Sequence, residues 1–203
     1  MLISTNNKKK TLKENCIPST KPIVLVGLMG AGKSSVGRLV AKKLDLHFFD
    51  ADNEIELAAD CSIREIFEKY GEAAFRNCER RVISRLIKQT SCVIATGGGA
   101  FINSKTRELI QKNAISIWLK ANLETLIQRT KGRRTRPLLN VKKPEEVLAE
   151  LMELRHPIYQ EANITIITNS NKKKITSNKV IEAVKKYYSK HEKSHQVSDR
   201  GML

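Results

Sequence analysis

The residues best suited to chemistry fall in a few short runs. Gly27-Leu28-Met29-Gly30-Ala31-Gly32-Lys33-Ser34 fits G-x-x-x-x-G-K-[ST], a loop that cradles phosphates. Backbone N–H groups at a helix start are unpaired, and the helix dipole adds positive potential there. Glycines let the main chain wrap closely around phosphate oxygens. Lys33 adds a full, mobile charge, and the Ser34 hydroxyl is suited to Mg²⁺. Downstream, Asp50 and Asp52 follow His47-Phe48-Phe49. In a strand, alternation sends both acids to one side, unless a helix begins between them. One acid then assists a metal while the other orients or deprotonates a hydroxyl. The alternative is that Asp52 only caps a helix starting near Asn53.

Arg76 and Glu79 are three apart, hence neighbours on one helical face. Such a pair is either a solvated surface contact or a guanidinium held ready for a carboxylate, which arginine grips bidentately. Thr96-Gly97-Gly98-Gly99-Ala100 follows the apolar run Cys92–Ala95 and offers backbone that a ligand can approach closely. Residues 131–143, KGRRTRPLLNVKK, form a long polar connection holding Arg133, Arg134 and Arg136, with Arg129 just upstream. A cationic loop of this kind is expected to be mobile, to close over phosphates and to exclude water; the plainer reading is a basic surface loop.

These groups need rigid elements behind them. Pro22–Val26 reads as a buried strand, and Lys33–Leu44 carries Val36, Leu39, Val40 and Leu44 at helical spacing. Ser62-Ile63-Arg64-Glu65 fits a capping box opening a short helix, which Tyr70-Gly71 breaks before a second helix over 72–88. Strands are expected at 47–49, 92–95, 115–119 and 164–168, and helices at 104–112 and from Asn122. A helix from Pro144 carries Val147, Leu148, Leu151 and Leu154, and a last helix spans 177–189, with disorder beyond Lys190. Strands alternating with helices imply a parallel sheet covered on both faces.

The 203 residues carry a net charge of +16. Residues 1–22 hold five lysines against one glutamate, and residues 171–203 nine cations against three acids, so ten of the sixteen charges lie in the ends. That pattern favours solubilising tails over nucleic-acid binding, and no aromatic residue interleaves the N-terminal lysines. Residues 1–21 are expected to be a disordered basic extension, 22–190 the single domain and 191–203 a tail. The start has no hydrophobic run and no arginine, so neither a secretory signal nor a transit peptide is expected, and no apolar run is long enough for a membrane span. Cys16, Cys61, Cys78 and Cys92 form no CxxC pair, which argues against zinc and for a reducing cytosol. Buried packing is expected for the last three.

Taken together, GLMGAGKSSVGR (27–38), FFDADNEIE (48–56), SIREIFEKYGEAAFR (62–76), ATGGGAF (95–101), RTRPLL (134–139) and LRHPIY (154–159) resemble the shikimate kinases. The resemblance covers residues 22–170 in order and spacing. It implies an α/β P-loop kinase with a five-stranded parallel sheet, like the nucleoside monophosphate kinases. It also implies ATP-dependent phosphorylation of the 3-hydroxyl of shikimate in aromatic amino-acid biosynthesis, with one Mg²⁺ ion, in the cytoplasm, by a monomer.

The resemblance places Gly30, Ala31, Gly32, Lys33, Ser34 and Ser35 around the ATP phosphates, with Ser34 and Asp50 serving the metal. Asp52 falls where the family acid meets the shikimate hydroxyls, and Arg76 and Arg155 where arginines grip its carboxylate. Gly97, Gly98 and Gly99 line that pocket, and Glu79 steadies the first arginine. Arg136 falls on the phosphate-reaching loop, Arg129 where adenine is covered, and Asn171 in the adenine-side loop. A sugar-acid kinase such as a gluconate kinase shares the phosphate loop but does not require the DAD, FR, GGG and RHPIY set together.

Overall fold

Five short strands make one sheet: β1 Ile23–Val26, β2 His47–Asp50, β3 Cys92–Ala95, β4 Ile115–Lys120 and β5 Ile164–Ile167. Every pairing is parallel and the order is β2-β3-β1-β4-β5. The fold is seen in a computed structural model that describes residues 21–131, 144–169 and 172–199. IVLV of β1 and CVIA of β3 are buried along their whole length, as expected where helices cover both faces of a parallel sheet. The chain moves outward from β1 to β2, returns through β3, then crosses β1 to reach β4 and β5. Winding therefore reverses at β1, and sites in such sheets form at the strand C-termini beside that reversal.

The helices are α1 Lys33–Leu44, α2 Ala51–Ala59, α3 Ile63–Ile87, α4 Ser104–Asn113, α5 Leu123–Thr130, α6 Pro144–Tyr159 and α7 Lys173–Asp199. The Ser62 capping box is formed: Ser62 Oγ accepts from the Glu65 N–H at 3.2 Å, and Glu65 Oε2 accepts from the Ser62 N–H at 2.8 Å. Gly71, at φ 77° and ψ 175°, interrupts α3 where the sequence predicts the break. Only a residue without a β-carbon adopts that conformation cheaply. Asn103 and Asn122 cap α4 and α5 by accepting from Thr106 N and Thr125 N.

Several expectations need correction. Helix α2 starts at Ala51 with Asp50 at its N-cap, so Asp52 lies inside the first turn and is not a capping residue. Leu154 is 70 % exposed: the stripe that α6 turns inward runs through Leu148, Arg155 and Tyr159, and Leu154 falls off that stripe at 100° per residue. Helix α7 begins at Lys173 rather than Ser177 and continues to Asp199. No glycine or proline lies between those residues to stop it. Ser189 is interior to it, its hydroxyl donating to the Lys185 carbonyl one turn back at 2.8 Å. Of the cysteines, Cys92 is buried, while Cys61 and Cys78 are only half-buried. Arg133, Arg134, Arg136, Asn171, Cys16 and residues 1–20 of the N-terminal extension lie outside the described residues. Among those described, no helix is long and apolar enough to cross a membrane.

Candidate active site

The phosphate loop leaves β1 and enters α1 through three glycines at positive φ: Gly27 at 132°, Gly30 at 81° and Gly32 at 95°. Gly27 is also sterically required, because a β-carbon there would stand 2.8 Å from the Leu119 carbonyl oxygen and 3.2 Å from the Trp118 ring. Gly32 caps α1 without a side-chain partner for the first-turn N–H groups. Those donors, with Ser34 and Ser35 in the same turn, are the features an anion needs at a helix start. Lys33 is buried, and its ammonium donates to the carbonyls of Gly27 at 2.7 Å and Leu28 at 3.0 Å. It therefore sits across the mouth of the loop. Arg129 comes in from α5. Its guanidinium donates to the Thr168 carbonyl at 3.0 Å, to Gly30 at 3.4 Å and to Ala31 at 3.5 Å. It ties the loop to the end of β5, and burial lowers its pKa.

A second group gathers at the ends of β2 and β3. Asp50 ends β2, paired in register with Ala95, and is half-buried with no side-chain capping bond. Asp52, one residue into α2, turns toward the glycine loop: its Oδ1 is 2.8 Å from where a Gly97 β-carbon would be, and Glu79 Oε1 is 3.3 Å from the same point. Glu79 is 1 % exposed and accepts from Arg76 Nη1 at 2.7 Å. That rules out the solvated surface pair. Arg76 also donates to Glu72 Oε1, from Nη2 at 3.2 Å and from Nε at 3.3 Å. Burial disfavours the charge of Arg76, but these two carboxylates outweigh it and its pKa is raised. Burial raises the pKa of Glu79 against the pull of Arg76, with the charges of Asp52 and Glu72 adding to the rise.

Arg155 approaches from the other side, on α6. Its Nη1 donates to the Gly98 carbonyl at 3.2 Å. The three glycines thus each meet a different part of the site: Gly97 meets Asp52, Gly98 meets Arg155 and the phosphate loop, and Gly99 meets the Arg76 guanidinium. A substrate seated there finds two guanidinium groups for a carboxylate and an acid for a hydroxyl, beside a phosphate-binding loop. The structure brings together the phosphate-loop residues, Asp52, Arg76, Glu79, Arg155 and Gly97–Gly99. Sequence reasoning passed over Glu72, whose four-residue spacing to Arg76 was a readable signal. The rings of Phe67 and Phe75 lie 4.6 Å apart, with the Arg76 guanidinium 5.0 Å from the Phe75 ring. Sequence reasoning did not assign the Tyr159 hydroxyl, which donates to the Gly98 carbonyl.

A nucleotide loop facing an acid-and-arginine cradle, both at the reversal point of a parallel sheet, defines a P-loop kinase. The shikimate kinase family model matches residues 29–186. Curated shikimate kinases of Caulobacter vibrioides and Bartonella henselae are 50 % and 48 % identical, over 83 % and 82 % of this chain and 84 % and 80 % of theirs. A solved shikimate kinase from Acinetobacter baumannii, in complex with shikimate, superposes with a TM-score of 0.78 at 40 % identity, covering 81 % of this chain and 92 % of that one. The chain belongs to the shikimate kinase family.

Proposed function

We propose that this protein transfers the γ-phosphoryl group of ATP to the 3-hydroxyl of shikimate, giving shikimate 3-phosphate and ADP on the route to chorismate and the aromatic amino acids. The observation that carries the reading is the Gly97–Gly99 loop. It touches Asp52, Arg155 and Arg76 in turn, while Gly98 lies 3.5 Å from the Met29 nitrogen of the phosphate loop, measured from its β-carbon position. Groups suited to a hydroxy acid and groups suited to a triphosphate are therefore in contact.

In this mechanism Arg76 and Arg155 hold the carboxylate, and Glu79 with Glu72 fixes the first of them. Asp52 orients the attacking hydroxyl and accepts its proton as the new P–O bond forms and the bond to the ADP oxygen breaks. Lys33 and the N–H groups of residues 30–35 hold the phosphates. Arg129 flanks the adenine, with Asn171 on the same side. Arg136 reaches the phosphoryl group from the 131–143 connection, which closes over the bound substrates. Ser34 and Asp50 fit a hard cation, since both offer oxygen. Among the described residues no group of three or more His, Cys, Asp or Glu forms a protein cage. Ser34 and Asp50 would hold Mg²⁺, which would supply neutralisation of charge on the nucleotide. The protein acts in the cytoplasm as a monomer and engages neither nucleic acid nor membrane.

ADP release measured with shikimate, gluconate and a shikimate analogue lacking the carboxylate tests the proposal. Shikimate alone should support turnover; equal use of the analogue would remove the two arginines from carboxylate recognition, and preference for gluconate would overturn the substrate. Gly99 gives a second test. Its φ suits any residue, but a β-carbon there would lie 2.7 Å from both terminal nitrogens of Arg76. Gly99→Ala should displace that guanidinium, which can swing aside, and leave the fold intact. The KM for shikimate should rise by about ten- to a hundredfold, as misplacing a binding group by about 1 Å does, with the KM for ATP unchanged in the same steady-state assay.

A further inference from the structure

The Gly98 carbonyl accepts two hydrogen bonds from a single helix: Arg155 Nη1 at 3.2 Å and the Tyr159 hydroxyl. Arg155 and Tyr159 are four residues apart, so α6 presents both donors on one face. A carbonyl oxygen has two lone pairs and satisfies both at once. Tyr159 is 1 % exposed. Its ring stacks on Phe101 at 6.5 Å between centroids and lies 5.9 Å from Trp118, so its rotamer is fixed by packing. The β-carbon position of Gly98 is 3.5 Å from Met29 N, 3.7 Å from Gly27 O and 3.7 Å from Arg155 Nη1. Gly98 therefore meets both the phosphate loop and the α6 arginine.

We propose that Tyr159 is a positioning residue for shikimate recognition: its hydroxyl pins the Gly98 carbonyl, and that pinned carbonyl orients the Arg155 guanidinium. The inference rests on the reading of Arg155 as a carboxylate grip. A guanidinium is planar with its donors in a fixed fork. Tying one Nη to an immobile acceptor sets the plane in which the remaining N–H groups meet a carboxylate. Without the phenol, the carbonyl is held by Arg155 alone, and the plane of the fork is free to tilt. Burial pushes the Tyr159 pKa up to about 12, against the pull of Arg155, so the phenol remains a donor across the working pH range.

Tyr159→Phe keeps the ring and its packing and removes only the donor. Steady-state kinetics on Tyr159→Phe, Arg155→Ala and the double variant, at a temperature where thermal melts show all of them folded, test the proposal. The KM for shikimate should rise about three- to tenfold in Tyr159→Phe, with kcat and the KM for ATP within about twofold of wild type. Tenfold corresponds to roughly 1.4 kcal/mol, the size of one hydrogen bond. In the Arg155→Ala background the same change should add nothing, because the tyrosine acts through the arginine. An unchanged KM for shikimate in Tyr159→Phe beside a raised one in Arg155→Ala overturns the part given to Tyr159. So does a rise that persists in the double variant, or one shared by ATP and shikimate with a lowered melting temperature, which marks a structural role only. An unchanged KM in Arg155→Ala overturns the carboxylate grip itself.

Discussion

Replacing Asp52 with asparagine should lower kcat by about a hundred- to ten-thousandfold, the range lost when a positioned general base is removed. The substitution preserves shape and hydrogen-bonding reach while removing basicity, so the KM for ATP should stay near its wild-type value. The geometry makes this a demanding test. Asp52 lies in the first turn of α2, and the N-cap position is Asp50, so Asp52 is not the N-cap residue. Its Oδ1 lies against Gly97, one residue before the glycine that meets the phosphate loop. Loss of function with normal thermal stability would place the carboxylate in the chemistry. Turnover within a few-fold of wild type would remove Asp52 from proton transfer, and no capping role is left to explain its position.

The second large effect is expected at Lys33. Lys33→Ala should reduce kcat/KM by about a hundred- to a thousandfold, as the loss of one preorganised charge stabiliser does. The buried ammonium bonds the carbonyls of Gly27 and Leu28 across the loop mouth. It can turn from those carbonyls to phosphate oxygens without moving the backbone, because its long stem carries three rotatable donors. Lys33→Arg keeps the charge but substitutes a planar fork for a point charge, so it should rescue only part of the loss. Steady-state kinetics of both variants, with nucleotide affinity measured separately, distinguish the outcomes. Near-normal kcat/KM in Lys33→Ala would reduce the lysine to a strut that closes the loop.

The phosphate loop, the sheet and the glycine cradle were legible because each is written in local chemistry. Glycines mark positive φ, IVLV and CVIA mark doubly covered strands, and S-x-x-E marks the start of α3. The start of α2 was less legible, because Asp-Ala-Asp offers two acceptable N-caps two residues apart, and the N-cap is Asp50. The Arg76–Glu79 spacing told that the two side chains meet but not that Glu79 is buried. Burial depends on α2 and the glycine loop after β3 closing over α3, which no local pattern encodes. Leu154 was assigned inward because it is apolar, whereas the inward stripe on α6 is completed by Arg155 and Tyr159. Polar residues that face a site break the hydrophobic pattern at the place where function lies. The end of α7 was missed for a simpler reason: polar lysine-rich sequence reads as a tail, yet without glycine or proline the helix has no stop.

The chain has one tryptophan, and Trp118 stands at the joint of the molecule. Its ring lies against Gly27 at the root of the phosphate loop, and His156 meets it edge-on at 4.9 Å from α6, next in sequence to Arg155. Burial, with the nearby Lys120 charge adding to it, lowers the pKa of His156, so the imidazole presents a neutral edge to the indole at neutral pH. The protein therefore carries its own fluorophore, without a competing emitter of the same kind, between the two halves that a bisubstrate reaction must bring into alignment. Changes in its emission on adding ATP, then shikimate, report how each half responds to the other, in native protein and in real time.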